Sequence, residues 1–494
     1  LELIFGIIDL KNRIPQQEVD AALISLSLDA KRTLISKNIP NGILALANTQ
    51  ESSIGEEIVT GLKDDRYNYT SASFIEGVLK LENDPLGLRP ILYYQQDHLF
   101  VFSSEIEPLL ELKSLSLQVS NQGIQQYLTY GITLGESTFI KNLYNLSPNS
   151  CLTFDSINGL AINKKNSHFK EQIKNPTSKN INDILTRSTQ AWIEKYNIEA
   201  ANLSGGADTR ILLACLDQKQ RDSFTFFTDA SPFLDRESDK DVIIAKQVAD
   251  RYHLKHVIRD HVPTQLTDSN LYKRSEPPEI LKLSGNHGGE ILGGDVFTAL
   301  DWIYRHHIEE LPNDLLTGEA QHTDEIVVPQ DHPDKFLWSL QTLFRSFYSD
   351  IYDGGIFNHW TMPQRFTFRK CAPFWTCELI LSIASLKEKE FSNYSLYAQL
   401  YREHHCDFAD LPFHSPITSH HEDFPTLRSG SNQKESFPRP SLDELYEDLR
   451  EGIRNNPIFN FEAIQKLKEQ EGKEKLLKRI IKCHLWTQQI IATT

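Results

Sequence analysis

The stretch Ala201-Asn-Leu-Ser-Gly-Gly-Ala-Asp-Thr-Arg210 constrains the fold most. It sets small residues directly after an apolar strand-like run, Ile198 to Leu203, and directly before a helix-like run, Ile211 to Leu216. Adjacent glycines at such a junction let the backbone approach a bound group, and the free N–H groups at a helix start favour an anion. On this reading Leu203, Ser204, Gly205, Gly206, Asp208, Thr209 and Arg210 form a phosphate-binding loop, with Ser204 and Thr209 adding hydroxyl donors. Asp208, read as an exposed loop carboxylate, would repel a polyphosphate unless a divalent cation lay between them, so Mg2+ is expected there. The loop lacks the lysine of GxxxxGK(S/T), which sets it apart from the usual kinase and GTPase loop. Taken alone, it leaves open a plain glycine turn capped by Asp208. Arg210 also has two readings: a guanidinium that offsets phosphate charge as pyrophosphate leaves, or a solvent-facing side chain paired with Asp217.

The neighbouring pattern extends the strand–loop–helix unit. Ile181, Ile184, Leu185, Trp192, Ile193 and Tyr196 recur at helical spacing before the loop, SFTFFT after it reads as a strand, and Val242, Ala245, Ala249 and Tyr252 return to helical spacing ahead of the run HVI. Alternation of this kind predicts a doubly wound parallel sheet. The first part differs, with the short apolar runs LIFGII, GILALAN, LFVFSSE and CLTFD broken by turn residues, hence strand-rich. The expected division is a first domain over 1–164, a polar linker over 165–180 and a second domain over 181–494, mainly helical beyond Leu300. Ser441 with Glu444 marks a capping box for one of the late helices.

Composition narrows the partners. Lys+Arg 51 against Asp+Glu 67 leaves a formal charge of -16, which disfavours long nucleic acid, and no apolar run is long enough for a membrane span. The opening LELIFGIIDLKNR is not a secretion signal, so a cytoplasmic location is expected. Cys151, Cys215, Cys371, Cys377, Cys406 and Cys483 form no CxxC pair and no zinc spacing, and are expected to be reduced. The cluster His404-His405-Cys406-Asp407 is not read as a zinc site, since consecutive helical residues point in different directions. The acidic run SPFLDRESDKD over 231–241 is read as a solvated loop and helix start.

Several motifs in order carry a family resemblance. SGGADT looks like the SGGxDS pyrophosphate loop of the asparagine synthetase family, the class II glutamine amidotransferases that belong to the N-type ATP pyrophosphatases. NDPLGLRPILYY and VFSSEIEPLL resemble that family's DPFGxxPLYY and FASExxxLL, with QQYLTYG and LYNLSPNS following. DKDVIIAKQVADRYHLKH resembles the helix after its ATP loop, and SGNHGGEILGG over 284–294 resembles its SGDGGDELFGG signature. Beyond residue 300 the best remaining echo is CAPFWTCELILSIASL.

The resemblance implies an α+β N-terminal Ntn-hydrolase-like, glutaminase-like sandwich, followed by an α/β doubly wound ATP pyrophosphatase domain with additional helices. It further implies ATP and Mg2+ as cofactors, Ser284 and Gly285 as further nucleotide contacts, and a catalytic lysine on a flexible loop, for which Lys434 is the loose candidate. Two departures alter the expectation. Active family glutaminases carry Cys where this chain has Glu2, and the Asn-Gly-Glu substrate loop is not visible, so loss of glutamine hydrolysis is expected, as in the beta-lactam synthetase and lasso-peptide cyclase branches. In the second signature Asn286 and Gly289 stand at family aspartates, leaving Glu290, with His287 as the alternative, to take up the metal role beside Asp208. The expected activity is an AMP- and pyrophosphate-forming amide synthetase that adenylates a small-molecule or peptide carboxylate and passes it to an amine donor. A lactam or lasso-peptide cyclase and a non-catalytic degenerate member stay open, and a tRNA-modifying relative is disfavoured by the acidic charge.

Overall fold

The computed structural model describes residues 2–27, 33–48, 54–63, 67–89, 91–131, 133, 135–155, 160–165, 175–231, 234–260, 281–294, 311–312, 314–317, 337, 373–414, 442–470 and 472–493. Two antiparallel sheets make up the first part. One has the order β2-β3-β1-β8-β7-β9, from β1 (Leu3–Asp9), β2 (Thr33–Ile39), β3 (Gly42–Asn48), β7 (Leu92–Gln96), β8 (Leu99–Ser103) and β9 (Leu143–Asn145). The other runs β11-β10-β6-β5-β4, from β4 (Glu57–Gly61), β5 (Tyr69–Ile75), β6 (Val78–Asn83), β10 (Ser150–Asp155) and β11 (Leu160–Lys165).

Strand alternation explains the layering. Along β1, Ile4 and Ile8 join Leu44, Phe100, Phe102, Leu79, Leu81 and Phe154 between the sheets, while Leu3, Phe5 and Ile7 face α1 (Gln16–Ser27), α2 (Glu107–Leu110) and α3 (Asn121–Tyr130). Gly6 is required on this strand, since a Cβ there would lie 2.2 Å from the Phe102 ring. The first part is therefore a helix layer on a two-sheet sandwich.

The junction is shorter than the expected linker. Lys165 still pairs with Ser150 in β11, and α4 (Ser178–Tyr196) is opened by a Thr177/Asn180 capping box. Lys164 and Lys165 pair with Cys151 and Ser150 as the last residues of β11, and the cap begins the helix ahead of its first apolar residue. Ile181, Leu185 and Trp192 of α4 join the apolar cluster that also holds the first part's helices.

The second part is organised by three short parallel strands, β12 (Ala200–Asn202), β13 (Thr225–Ala230) and β14 (Lys255–Asp260), in that order. Between them run α5 (Ala207–Ala214), α6 (Gln218–Ser223) and α7 (Lys240–Arg251). Leu283 then pairs in parallel with Ala201 on the free side of β12, ahead of α8 (Gly288–Leu292). Among the described residues, the helices that follow are α9 (Cys377–Ala384), α10 (Glu388–Phe391), α11 (Ser395–His404), α12 (Cys406–Ala409), α13 (Leu442–Asn455), α14 (Phe461–Lys468) and α15 (Glu474–Thr493). Arg479 of α15, fully buried, donates 2.8 Å bonds to the carbonyls of Leu128 and Thr129 at the end of α3, where a cation suits the helix terminus. No helix among the described residues is long and apolar enough to cross a membrane.

Candidate functional site

Strand order sets two glycine-rich loops side by side. From β12 the chain moves to β13 and β14 on one side, then returns to the other side at Leu283. The order reverses beside β12, and in open parallel sheets such a switch point opens a crevice at the carboxyl ends of the strands. The loop Leu203–Gly206 leaves β12 there, and the loop 284–287 leaves the Leu283 bridge beside it.

Glycine is what lets these two loops touch. A Cβ on Gly285 would lie 2.8 Å from the Thr209 backbone nitrogen, and one on Gly288 would lie 2.6 Å from Asp208 Cγ and 2.3 Å from the Tyr397 hydroxyl oxygen. The two glycine-rich motifs recognised in the sequence therefore meet at the first turn of α5. Ser284 is fully buried, and its hydroxyl accepts the Asn286 N–H at 3.4 Å.

The amides of Ser204, Gly205 and Gly206, which precede the helix start, are held by side chains. The Ser204 N–H donates to Thr209 Oγ1 (3.1 Å), the Gly206 N–H to Ser204 Oγ (3.1 Å) and the Gly205 N–H to Asp241 Oδ1 (2.9 Å). The Ser204 and Thr209 hydroxyls lie 3.0 Å apart. Side chains of the loop and of α7 thus hold three successive amides, which keeps the turn in shape. Residues 239–241 are accordingly not a plain solvated helix start: Asp239 is a buried N-cap that also accepts the Ser231 N–H at 2.7 Å, and Asp241 reaches the loop.

Asp208 is not an exposed loop carboxylate either. It lies in the first turn of α5, half-buried, and its Oδ1 accepts a hydrogen bond from the fully buried Tyr397 hydroxyl of α11. One turn on, Tyr401 donates to the Ala207 carbonyl at 2.8 Å. Burial, and then the nearby Asp208 charge, push the Tyr397 hydroxyl well above its ordinary value, and burial likewise raises Tyr401. Both therefore remain protonated donors at neutral pH.

Arg210 contradicts both of its sequence readings. It is completely buried, donates to the carbonyls of Phe408 (3.3 Å), Leu411 (2.8 Å) and Pro412 (2.7 Å), and stacks on the Phe413 ring at 3.8 Å. Burial lowers it to about 10, which leaves it charged at neutral pH. A guanidinium fork gathers several carbonyls at once, so Arg210 turns away from the loop and clamps the segment after α12. Asp217, the alternative partner, instead caps α6. The clamped segment returns to the site, where the His414 N–H donates to the Gly205 carbonyl at 2.8 Å.

Glu290 lies buried on α8, its Oε2 4.0 Å from Nδ1 of His287. His287 adopts a left-handed backbone with φ 68° and packs against the edge of Trp375. A non-glycine residue there costs about 1–2 kcal/mol, strain of a kind that gathers at functional turns. Among the described residues no three His, Cys, Asp or Glu side chains gather as a metal cluster. His405 bonds Asn182 Oδ1 at 2.6 Å and is held to about 4 by burial, and His404 Nε2 lies 3.3 Å from Ser178 Oγ, so the two histidines bond α4 while Cys406 is exposed. Cys151, Cys215, Cys377, Cys406 and Cys483 are free thiols; Cys371, Lys434 and Ser441 lie outside the described residues.

In the first part, Glu2 is 2% exposed and ringed by partners from both parts of the chain. Its Oε2 accepts the Tyr196 hydroxyl (2.7 Å) and the Gly61 N–H (3.2 Å) and lies 3.7 Å from the Arg89 guanidinium, while its Oε1 lies 3.4 Å from Lys195 Nζ. Burial alone would raise this carboxyl, but Arg89, Lys195 and the Tyr196 hydroxyl outweigh it and hold the group below its ordinary value.

Comparison with known proteins agrees with part of this picture. Residues 67–164 match a family model described as the glutamine amidotransferase domain. A Methanocaldococcus jannaschii protein provisionally named asparagine synthetase (glutamine-hydrolyzing) 2 is 27% identical over 82 residues, covering 16% of this chain and 16% of that protein. Two solved structures are an allosteric regulatory enzyme of purine biosynthesis and glutamine phosphoribosylpyrophosphate amidotransferase from B. subtilis complexed with ADP and GMP. They share 8% and 9% identity, cover 62% of this chain and 79% and 80% of theirs, and have TM-scores of 0.24 and 0.22, too low to argue from. The likeness is to glutamine amidotransferases, and the match to the curated relative is confined to about a sixth of its length.

Sequence reasoning missed Asp241, Tyr397 and Tyr401. The tyrosines carry a legible signal, since positions 397 and 401 share one helical face, but that spacing equally describes a core stripe.

Proposed function

We propose that this chain is an ATP-dependent, AMP- and pyrophosphate-forming amide synthetase, resembling asparagine synthetase but without a working glutaminase. The observation that carries the reading is the contact of two glycine-rich loops at the carboxyl ends of adjacent parallel strands, where the strand order reverses and Asp208 lies at the seam. Such a crevice, with a helix N-terminus behind it, suits the β,γ-phosphates of ATP and leaves the α-phosphate open to a substrate carboxylate.

Asp208 in the first turn of α5 and Glu290 on α8 offer the hard oxygen donors that suit Mg2+, which takes few protein carboxylates and completes its shell with phosphate and water. When bound, Mg2+ supplies charge neutralisation for the leaving pyrophosphate. Ser204, Thr209 and the loop amides orient the phosphates once their present internal bonds are exchanged. Arg210 holds the site's outer wall in place. The substrate carboxylate attacks the α-phosphorus, the bond to the bridging oxygen breaks and pyrophosphate departs; an amine then displaces AMP to give an amide.

Glu2 supports the absence of glutaminase chemistry. The position where the family resemblance expects a thiolate nucleophile holds a buried carboxylate already committed to Arg89, Lys195 and Tyr196. The amine on this reading is free ammonia or an amino group carried by the substrate, the latter giving a lactam or macrocycle.

The occupied loop amides favour a second reading, a non-catalytic member. Incubation with Mg-ATP, a panel of carboxylic acids and hydroxylamine, followed by mass spectrometry, decides between them. The synthetase reading expects AMP and a hydroxamate with a particular acid; ATP left intact with every acid, together with no detectable ATP binding, overturns it.

A further inference from the structure

Three elements distant in sequence meet at the Asp208 carboxylate: α5, which carries it, α8, which touches it at Gly288, and α11, which sends the Tyr397 hydroxyl onto Oδ1. Tyr397 is 0% exposed, and its hydroxyl donates to Asp208 Oδ1. A neutral donor fixes a carboxylate's direction without cancelling its charge. Gly288 is essential to the arrangement, because any side chain there would enter the space shared by the hydroxyl and the carboxylate.

We propose that Tyr397 is the positioning residue for Asp208, holding Oδ1 from behind so that the carboxylate is presented to a divalent cation carried by pyrophosphate. The inference rests on the nucleotide reading above and deepens it. Tyr401 provides the internal control. It lies one turn further along α11, is equally buried, and spends its hydroxyl on the Ala207 backbone carbonyl, a bond that supports the same helix turn without touching the carboxylate. Loss of either hydroxyl removes one buried hydrogen bond, but only loss of the Tyr397 hydroxyl takes a bond from the Asp208 carboxylate. Hydrogen-bond partners behind a metal-binding side chain typically govern metal affinity by about 10- to 100-fold.

The test compares Mn2+ binding, followed by electron paramagnetic resonance in the presence of inorganic pyrophosphate, for the full chain and for Tyr397→Phe and Tyr401→Phe. Tyr397→Phe is expected to weaken Mn2+ by about 10-fold or more, and Tyr401→Phe to leave it within about twofold while lowering the melting temperature by a similar amount. Equal Mn2+ affinity in the two variants overturns the inference but leaves the nucleotide reading standing; no Mn2+ binding by the unaltered chain overturns the nucleotide reading itself. Should Tyr397→Phe fail to fold, the unaltered protein still decides. Mn2+ with pyrophosphate is expected to produce a tyrosine near-ultraviolet difference spectrum that Asp208→Asn lacks, and the same spectrum in Asp208→Asn overturns the assignment.

Discussion

Two carboxylates near the ends of central strands receive opposite treatment. Glu2, just before β1, is enclosed by Arg89, Lys195, Tyr196 and the Gly61 amide, so its charge is balanced by the chain's own cations and it joins the sandwich to α4. Asp208, just after β12, is steadied by a neutral tyrosine hydroxyl where two glycine loops meet. The first arrangement stores its interactions inside the fold. The second leaves the carboxylate held by an uncharged donor at the meeting of two loops. The proposed function rests on this contrast between a structural joint and a site.

The contrast predicts different losses at its two poles. Asp208→Asn keeps an acceptor for Tyr397, so stability should stay within about 1 kcal/mol, while AMP formation falls by a factor on the order of 100 or more. Product chromatography and a melting curve measure both, and undiminished AMP formation would break the contrast. Glu2→Ala should behave in reverse. Stranding the buried Arg89 guanidinium costs about 3–5 kcal/mol, read from urea unfolding, and a change below about 1 kcal/mol would show that the joint is dispensable.

The pH profile sharpens the same point. Because the folded Glu2 carboxyl is held below the ordinary value of 4.5, its contribution is fully present above that value and is lost as pH falls through the lower folded value. Glu2→Gln should therefore flatten the acid limb of stability against pH, and an unchanged acid limb would remove Glu2 from the account.

Gly288→Ala tests the seam itself. A methyl group forced between the Tyr397 hydroxyl and Asp208 should cost about 1–3 kcal/mol and weaken cation binding together with it; a stable variant with normal Mn2+ affinity would mean that the loops do not pack as described. The smallest effect is expected at Asp241. Asp241→Asn keeps the acceptor for the Gly205 N–H and removes one charge beside the loop, so pyrophosphate binding without Mg2+ should tighten by roughly two- to fivefold, as calorimetry would register. Weaker binding would show that the charge itself is needed.

Much of this arrangement could be read from the chain. Leu203 to Thr209 and Ser284 to Gly294 stood out because glycine at a strand end has a local physical cause, and the strand–helix alternation from Ile181 onward follows from side-chain periodicity. What local pattern could not provide was pairing across distance. Beside the loop, Arg210 reads equally as a counter-charge to phosphate or a solvent-facing partner of Asp217, yet its partners are carbonyls at Phe408, Leu411 and Pro412, and nothing in the spacing of Ile211 to Leu213 reveals which helical face meets them. Tyr397 and Tyr401 share one face of α11, a spacing that also describes an ordinary core stripe, so nothing local marks them. Nothing in the local pattern shows that Asp241, two helices on in α7, reaches back to the Gly205 N–H.

The central claim is that the seam at Asp208 is a cation-dependent nucleotide site. Calorimetric titration with a non-hydrolysable ATP analogue, with and without Mg2+, for the unaltered chain and Asp208→Asn, tests it most directly. The account predicts binding that strengthens with Mg2+ in the unaltered chain and loses that Mg2+ dependence in Asp208→Asn. No binding in either protein, or identical Mg2+ dependence in both, would contradict it.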